Sequence, residues 1–175
     1  MKRRICIFLA LCIPLALFGS SCCSNTIPPE VVSGFEAEKY LGKWYEIARF
    51  EHRFEKGLTR VTAEYSWRDD GKVRVLNRGY DAAKKEWRQA EGKAELITAG
   101  RGALKVSFFG PFYAPYRVVE LDPQYRWALV SSGEDYLWIL SRTPQLPPEV
   151  LDSLQQRARK LGYDTQRFVW VEQKD

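Results

Sequence analysis

The side chains able to perform acid–base, nucleophilic or metal chemistry are few, and their spacing argues against catalysis. His52 is the only histidine of 175 residues, and a lone histidine near a loop more often serves structure or surface than proton transfer. Ser131-Ser132-Gly133 lacks the G-x-S-x-G elbow that presents an esterase nucleophile. The adjacent carboxylates Glu134-Asp135 fall in a predicted turn and read as a solvated loop. One histidine without a cysteine cluster gives zinc no tetrahedral ligand set, and Asp69-Asp70-Gly71 lacks the alternating acidic spacing of a calcium loop. Gly100-Arg101-Gly102 has no helix after it and is therefore a turn, not a phosphate cradle. Neither an enzyme nor a metal or cofactor site is expected.

The chain has apolar surface to offer instead. Hydrophobic residues make up 45% and aromatic residues 14%, with six Trp and nine Tyr, a composition suited to β-structure with an aromatic interior. The first residues are excluded from that fold. Lys2, Arg3 and Arg4 precede an apolar run of 14 residues, Ile5 to Phe18, and then Gly19, Ser20 and Ser21, the layout of an export signal. The run is too short for the roughly 20 residues of a spanning helix. Cys22 and Cys23 follow directly and resemble the lipobox cysteine of bacterial lipoproteins, which becomes the acylated N-terminus. Gly19 or Ser20 stands where that motif usually has Leu, and either cysteine is open as the anchor. The residue after Cys22 is not the Asp that retains enteric lipoproteins at the inner membrane, so the outer membrane is the expected destination. Residues 1–21 thus read as a lipoprotein signal, 22–34 as a lipidated N-terminus and Pro-containing tether, and 35–175 as the folded domain.

Removal of the signal leaves 24 basic against 22 acidic residues, a net charge of +2 and too little for a nucleic-acid binder. Cys6 and Cys12 leave with it and no cysteine follows Cys23, so the domain has no internal disulfide and is held by its core.

The elements that must position any ligand are legible in the patterning. Phe35 to Leu41 suits a short helical turn. Eight alternating runs follow: Trp44–Phe50, Val61–Trp67, Val73–Tyr80, Trp87–Ile97, Ala103–Phe109, Tyr116–Leu121, Trp127–Ser131 and Tyr136–Ser141, with Asp69-Asp70-Gly71 as a hairpin turn between the second and third. Past Pro147-Pro148 the period changes. Val150, Leu151, Leu154, Ala158 and Leu161 recur at three and four residues up to Gly162, which predicts one amphipathic helix; Phe168–Val171 is a last short strand. Closure removes the edges of so long a meander. The fold expected is an all-β, eight-stranded antiparallel up-and-down barrel with one helix outside, its interior wide enough for one small ligand.

Gly42-Lys43-Trp44-Tyr45-Glu46 matches the G-x-W motif of lipocalins, and Arg142 after the last barrel strand matches their lone arginine. A guanidinium stacked on a plugging Trp ring is a structural device. The stretches KYLGKWYEIARFEHRFEKGL, LKVSFFGPFYAPYRVVELD and DYLWILSRTP extend the likeness over roughly residues 35 to 172, and the chain resembles the bacterial lipoprotein lipocalins, relatives of apolipoprotein D. The third motif departs from the family pattern as Leu121-Asp122-Pro123-Gln124-Tyr125, which bears on one turn. The resemblance implies binding of fatty acids and phospholipids, lysophospholipids above all, for envelope maintenance under stress. Whether two copies pair is left open.

Strand parity nominates the lining. Leu104, Val106 and Phe108 share one face; Tyr136, Trp138 and Leu140 have the parity of Arg142, with Leu137 and Ile139 opposite. Trp138, Phe108 and Val106 are expected in the cup, Tyr113 near its mouth in a Gly110–Pro115 loop, and Phe50 and Phe54 as a flap. Arg49, Arg53 and Arg117 are candidates for a lipid phosphate. The competing readings are a filled barrel that only scaffolds the envelope, and a carrier of another apolar ligand such as haem or a pigment, for which His52 is the one evident iron ligand.

Overall fold

A strand that alternates apolar and polar residues has one face to bury, and eight in succession bury it by closing on one another. The computed structural model describes residues 30–174; the signal and both anchor cysteines lie outside the described residues. Its elements run β1 (Ser33–Phe35), α1 (Ala37–Tyr40), β2 (Gly42–Phe50), β3 (Leu58–Trp67), β4 (Val73–Asp81), β5 (Glu86–Leu96), β6 (Gly100–Arg101), β7 (Ala103–Phe109), β8 (Phe112–Leu121), β9 (Trp127–Ser131), β10 (Leu137–Ser141), α2 (Pro148–Lys160), a 3-10 turn (Thr165–Arg167) and β11 (Phe168–Trp170). The eight long strands pair antiparallel in chain order from β2 to β10, passing over the two-residue β6, and β10 closes on β2. The fold is the eight-stranded closed barrel with one external helix that the patterning predicts.

Register sorts most of the buried apolar side chains into two cores, with Leu58, Val61 and Val171 forming a small third cluster. Inside the barrel pack Phe35, Tyr40, Trp44, Tyr65, Val75, Leu104, Val118, Val130 and Leu140. Outside it, Ile47, Phe50, Leu129, Leu137 and Ile139 pack under Leu154, Ala158 and Leu161 of α2. This is why β10 is apolar on both faces. Among the described residues, neither core uses one before Val32.

The C-terminal strand completes the wall. β3 pairs with β2 from Gly42 to Tyr45 only; higher up, β11 takes over that edge, with Phe168 opposite Phe50. The Gln173 amide donates to the backbone oxygens of both Glu46 (2.7 Å) and Val61 (3.0 Å), tying together the strands that β11 separates. At the opposite end of the barrel, the segment before α1 lies across the opening: the Val32 N–H donates to Val118 O at 2.9 Å, and β1 pairs with β6. Residues 32–34 of the expected tether therefore belong to the fold.

Most strand ends fall within one to three residues of expectation, β3 for example starting at Leu58 and not Val61, and the largest difference is at β8. β8 begins at Phe112, so Tyr113 and Pro115 are strand residues and not loop. Pro115 misleads because proline has no N–H for a ladder. It is tolerated here because β9 reaches β8 only from Arg117 onward.

Candidate functional site

The closed end is built from the first strand's motif. The Arg142 guanidinium lies 3.9 Å from the centre of the Trp44 ring and donates to the backbone oxygens of Lys39 (2.7 Å), Lys43 (3.0 Å) and Tyr125 (3.2 Å). Trp44 Nε1 donates to Tyr40 O at 2.8 Å. Gly42 adopts φ +89°, and a Cβ there would sit 3.4 Å from Arg142 Nη1; an L side chain would meet the arginine in ordinary contact but be strained in its backbone. The departed third motif still makes its turn, with the buried Asp122 carboxylate accepting from Gln124 N and from Arg126 N, Nε and Nη2 at 2.7–3.1 Å.

Three phenols form the floor above this plug. The Tyr116 hydroxyl bonds to those of Tyr40 (2.7 Å) and Tyr65 (2.8 Å), and burial raises the pKa of all three. A cavity of about 10 Å³ is left among them and Phe35, Val75 and Leu104, room for about one water. The floor is packed. Higher up, small residues take inward positions. Trp44, Ala63, Asn77 and Ala90 stand opposite one another across β2 to β5, as do Val106 and Ala114 across β7 and β8. Ala90 and Ala114 thus face inward, yet both are exposed.

A bulge places charge at the neck of this cup. On β2, Ala48 stands opposite Ile139 and Glu46 opposite Leu140, so Ile47 is the extra residue. Glu46 and Arg49, three apart and on opposite faces of a regular strand, consequently both turn inward. Their side chains are 5% and 1% exposed and 2.9 Å apart. Arg49 also donates to Glu55 O (2.8 Å), Glu51 Oε1 (3.2 Å) and Leu58 O (3.5 Å), which pins the 51–57 loop to the barrel. Burial, with the Glu55 carboxyl second, holds Glu46 well above the usual carboxylate range despite the arginine beside it. Glu55 Oε2 accepts from Trp138 Nε1 at 3.3 Å and lies 2.9 Å from His52 Nε2.

The expected lining residues divide between the two sides of the wall. Trp138 faces inward at the neck, half-buried, opposite Arg49. Val106 and Phe108 pack on the interior core; Phe108 lies so close to β5 that a Cβ on Gly92 would be 2.8 Å from its ring. Phe54 stands on the rim loop, 49% exposed, 6.1 Å from the His52 ring. Phe50 does not join them. It is buried outside the barrel against Tyr163 and Phe168, because the extra residue Ile47 reverses the parity of Ala48, Arg49 and Phe50. Tyr113 also faces out, its hydroxyl donating to Glu95 Oε1 at 2.7 Å under Lys105, because β8 has already begun.

The phosphate candidates are placed no better for the cup. Arg49 spends its terminal nitrogens on the protein, Arg53 stacks on the Phe54 ring at 4.7 Å, and Arg117 has the outward parity of Tyr113. The patterning gives no sign of Glu46 and Glu55, because a bulge leaves no mark in alternation; Glu46 is legible only as part of the G-x-W strand.

The family model described as "Lipocalin-like domain" matches residues 35–173. Outer membrane lipoprotein Blc of Escherichia coli (strain K12) is 53% identical over 163 residues, covering 90% of this chain and 92% of that protein. Apolipoprotein D of Mus musculus is 34% identical over 156 residues, covering 83% and 80%. Among solved structures, insecticyanin from the tobacco hornworm Manduca sexta superposes with a TM-score of 0.69 at 21% identity, covering 83% of this chain and 85% of that one, a likeness of fold alone.

Proposed function

This chain belongs to the lipocalin family, and on that footing we propose that it holds a single-chain lipid, a lysophospholipid or fatty acid, in the upper half of its barrel. It is an outer-membrane lipoprotein and a binding protein, not an enzyme. Acylation at Cys22 or Cys23 is the anchor in this reading, with the domain on the periplasmic side and the lipid cargo stored or moved for envelope maintenance. Each buried methylene of an acyl anchor contributes about 0.8 kcal/mol, so several chains on one cysteine hold the protein firmly.

The observation that supports the reading most is the set of exposed, inward-register small residues above a packed floor. Inward-facing Ala90 and Ala114 are exposed, and Val106, Phe108 and Trp138 offer apolar and aromatic surface beside them. A scaffold barrel with a filled interior has no such wall. The mild net charge and the absence of a nucleophilic constellation in the sequence are consistent with cargo that leaves chemically intact.

The test is a titration of intrinsic tryptophan fluorescence on a form beginning at residue 24, with lysophospholipid, fatty acid and diacyl phospholipid in turn. Saturable binding, tightest for a single-chain lipid recovered intact by mass spectrometry, is expected. A folded barrel that responds to none of them returns the scaffold reading. The anchor is tested separately: Cys22→Ala with Cys23→Ala should move the exported protein from the membrane to the soluble periplasmic fraction, and continued membrane association would defeat that assignment.

A further inference from the structure

The charges around the neck of the cup do not balance. The Arg49 guanidinium pairs with the carboxylates of Glu46 and Glu51 and meets Glu55 only at its backbone oxygen, so among these four side chains a protonated Glu46 still leaves an excess of negative charge. Asp81 and Arg88 also have inward register, lie 3.9 Å apart at the mouth ends of β4 and β5 and offset each other, while Glu86 opposite Asp81 adds a further carboxylate on that face. Arg53 points its charge along the Phe54 ring at the exposed rim.

Aromatic rings also gather beside Glu55, around its neighbour His52. Its Oε2 accepts from Trp138 Nε1. The His52 ring lies 5.3 Å from Tyr136 and 5.7 Å from Trp138, whose own rings stack at 6.0 Å. The His52 side chain is 10% exposed, and neither of its nitrogens has a hydrogen-bond partner among the described residues; Nε2 is near Glu55 but not aligned for a hydrogen bond. Orphaned buried nitrogens are rare enough to require an account. A carboxylate, an imidazole lone pair and two π faces repel a phosphate or fatty-acid head. They suit an ammonium, which gives a charge-assisted hydrogen bond to the carboxylate, N–H donors to the imidazole, and attraction to the rings.

We infer that the neck of the cup selects a lipid whose head carries an ammonium, the amine of a zwitterionic ethanolamine-type lysophospholipid, seated against Glu55, His52, Tyr136 and Trp138. The inference rests on the single-chain lipid reading and adds the head group to it. The acyl chain then lies below, along Val106 and Phe108.

The experiment compares three lysophospholipids of one acyl chain, with ethanolamine, glycerol or no head alcohol on the phosphate. Each competes at pH 7, below micelle-forming concentrations, against a fluorescent fatty acid on the form beginning at residue 24. The ethanolamine lipid should bind about ten-fold more tightly than either anionic one, the order expected of one desolvated cation contact with rings and carboxylate. Glu55→Gln, of nearly equal shape, should bring all three within about two-fold, and Glu55→Lys should invert the order. Equal affinities in the unaltered protein, or a preference that survives Glu55→Gln, would overturn the head-group site and leave the lipid reading standing. Failure of every single-chain lipid to bind a folded barrel would take both down. Should a variant misfold by circular dichroism, the ranking in the unaltered protein decides alone.

Discussion

Arg49→Met removes the one cation from a buried cluster, and the size of its effect should depend on pH. At neutral pH the variant leaves Glu46, 5% exposed, without its guanidinium, and breaking a buried pair on one side costs about 3–5 kcal/mol. For a domain of this size that lowers Tm by roughly 6–20 °C. The cost has an escape: Glu46 can take up a proton. Its pKa is already raised by burial and by Glu55, and loss of Arg49 raises it further. A folded pKa above the unfolded one means the native state binds the extra proton, so stability is fully present below the unfolded value of about 4.3. It then declines by about 1.4 kcal/mol per pH unit until the folded pKa is passed. Urea unfolding followed by tryptophan fluorescence at pH 5, 6, 7 and 8 should therefore show the variant still losing stability with pH after the parent's own decline has levelled off. Glu46→Gln on the Arg49→Met background should flatten it. The remaining, pH-independent part reports the lost bonds to the oxygens of Glu55 and Leu58. A gap between variant and parent that stays constant above the pH at which the parent's decline levels off would refute the placement of Glu46 as the buried partner.

Phe50→Ala should cost about 3–5 kcal/mol as a large core deletion and leave lipid affinity unchanged, whereas Trp138→Ala should weaken binding about ten-fold with a smaller loss of Tm; the reverse pattern in paired melting and binding curves would exchange their sides of the wall. Arg142→Ala should lose about 2–4 kcal/mol from the ring contact and three backbone hydrogen bonds, read as a lower Tm, and an unchanged Tm would remove the closed-end clasp. Glu95 is held down to about 2 by hydrogen bonds from Lys72, Lys105 and Tyr113. Its carboxyl carbon resonance should titrate there, and Tyr113→Phe should move the midpoint upward with no change in lipid affinity. A midpoint that stays put would detach Tyr113 from the outer wall.

The barrel is legible in the sequence because each strand repeats one physical rule. Alternation marks a half-buried strand, two-sided apolarity marks β10 under α2, and Pro148 with Gly162 brackets the helix. Trp44 with Arg142 is legible as a family motif, and the inward face of Val106 and Trp138 follows from parity; Phe108 keeps that face beside an irregularity in β7 between Val106 and Phe109. Parity misleads where it breaks. Counting to Phe50 across the Ile47 bulge puts that ring on the wrong face. Tyr113 is misplaced by a proline that ends most strands but sits here beside β8's one-neighbour stretch. The same bulge hides the pairing of Glu46 with Arg49. Three tyrosines at 40, 65 and 116 meet only because the closed barrel brings β3, β8 and α1 together, a contact with no local signal.

A buried ion pair is a poor way to stabilise a barrel. Replacing such a pair with well-packed apolar residues is often neutral or favourable by about 1–4 kcal/mol, so a chain needing only stability gains nothing from Glu46 and Arg49. The geometry offers them another use. Arg49 ties the 51–57 loop to the wall through the Glu55 and Leu58 oxygens, and that loop carries His52, Phe54 and the Glu55 carboxylate to the rim. Glu46→Leu with Arg49→Met should accordingly melt at or above the parent's temperature while losing affinity, since the loop no longer holds Glu55 against Trp138. A double variant that is equally stable and binds equally well would mean the loop is held by something other than the arginine. One that is much less stable would mean the pair serves the core itself. Between these outcomes, a stable barrel with a weakened neck is the result that ties the bulge in β2 to binding.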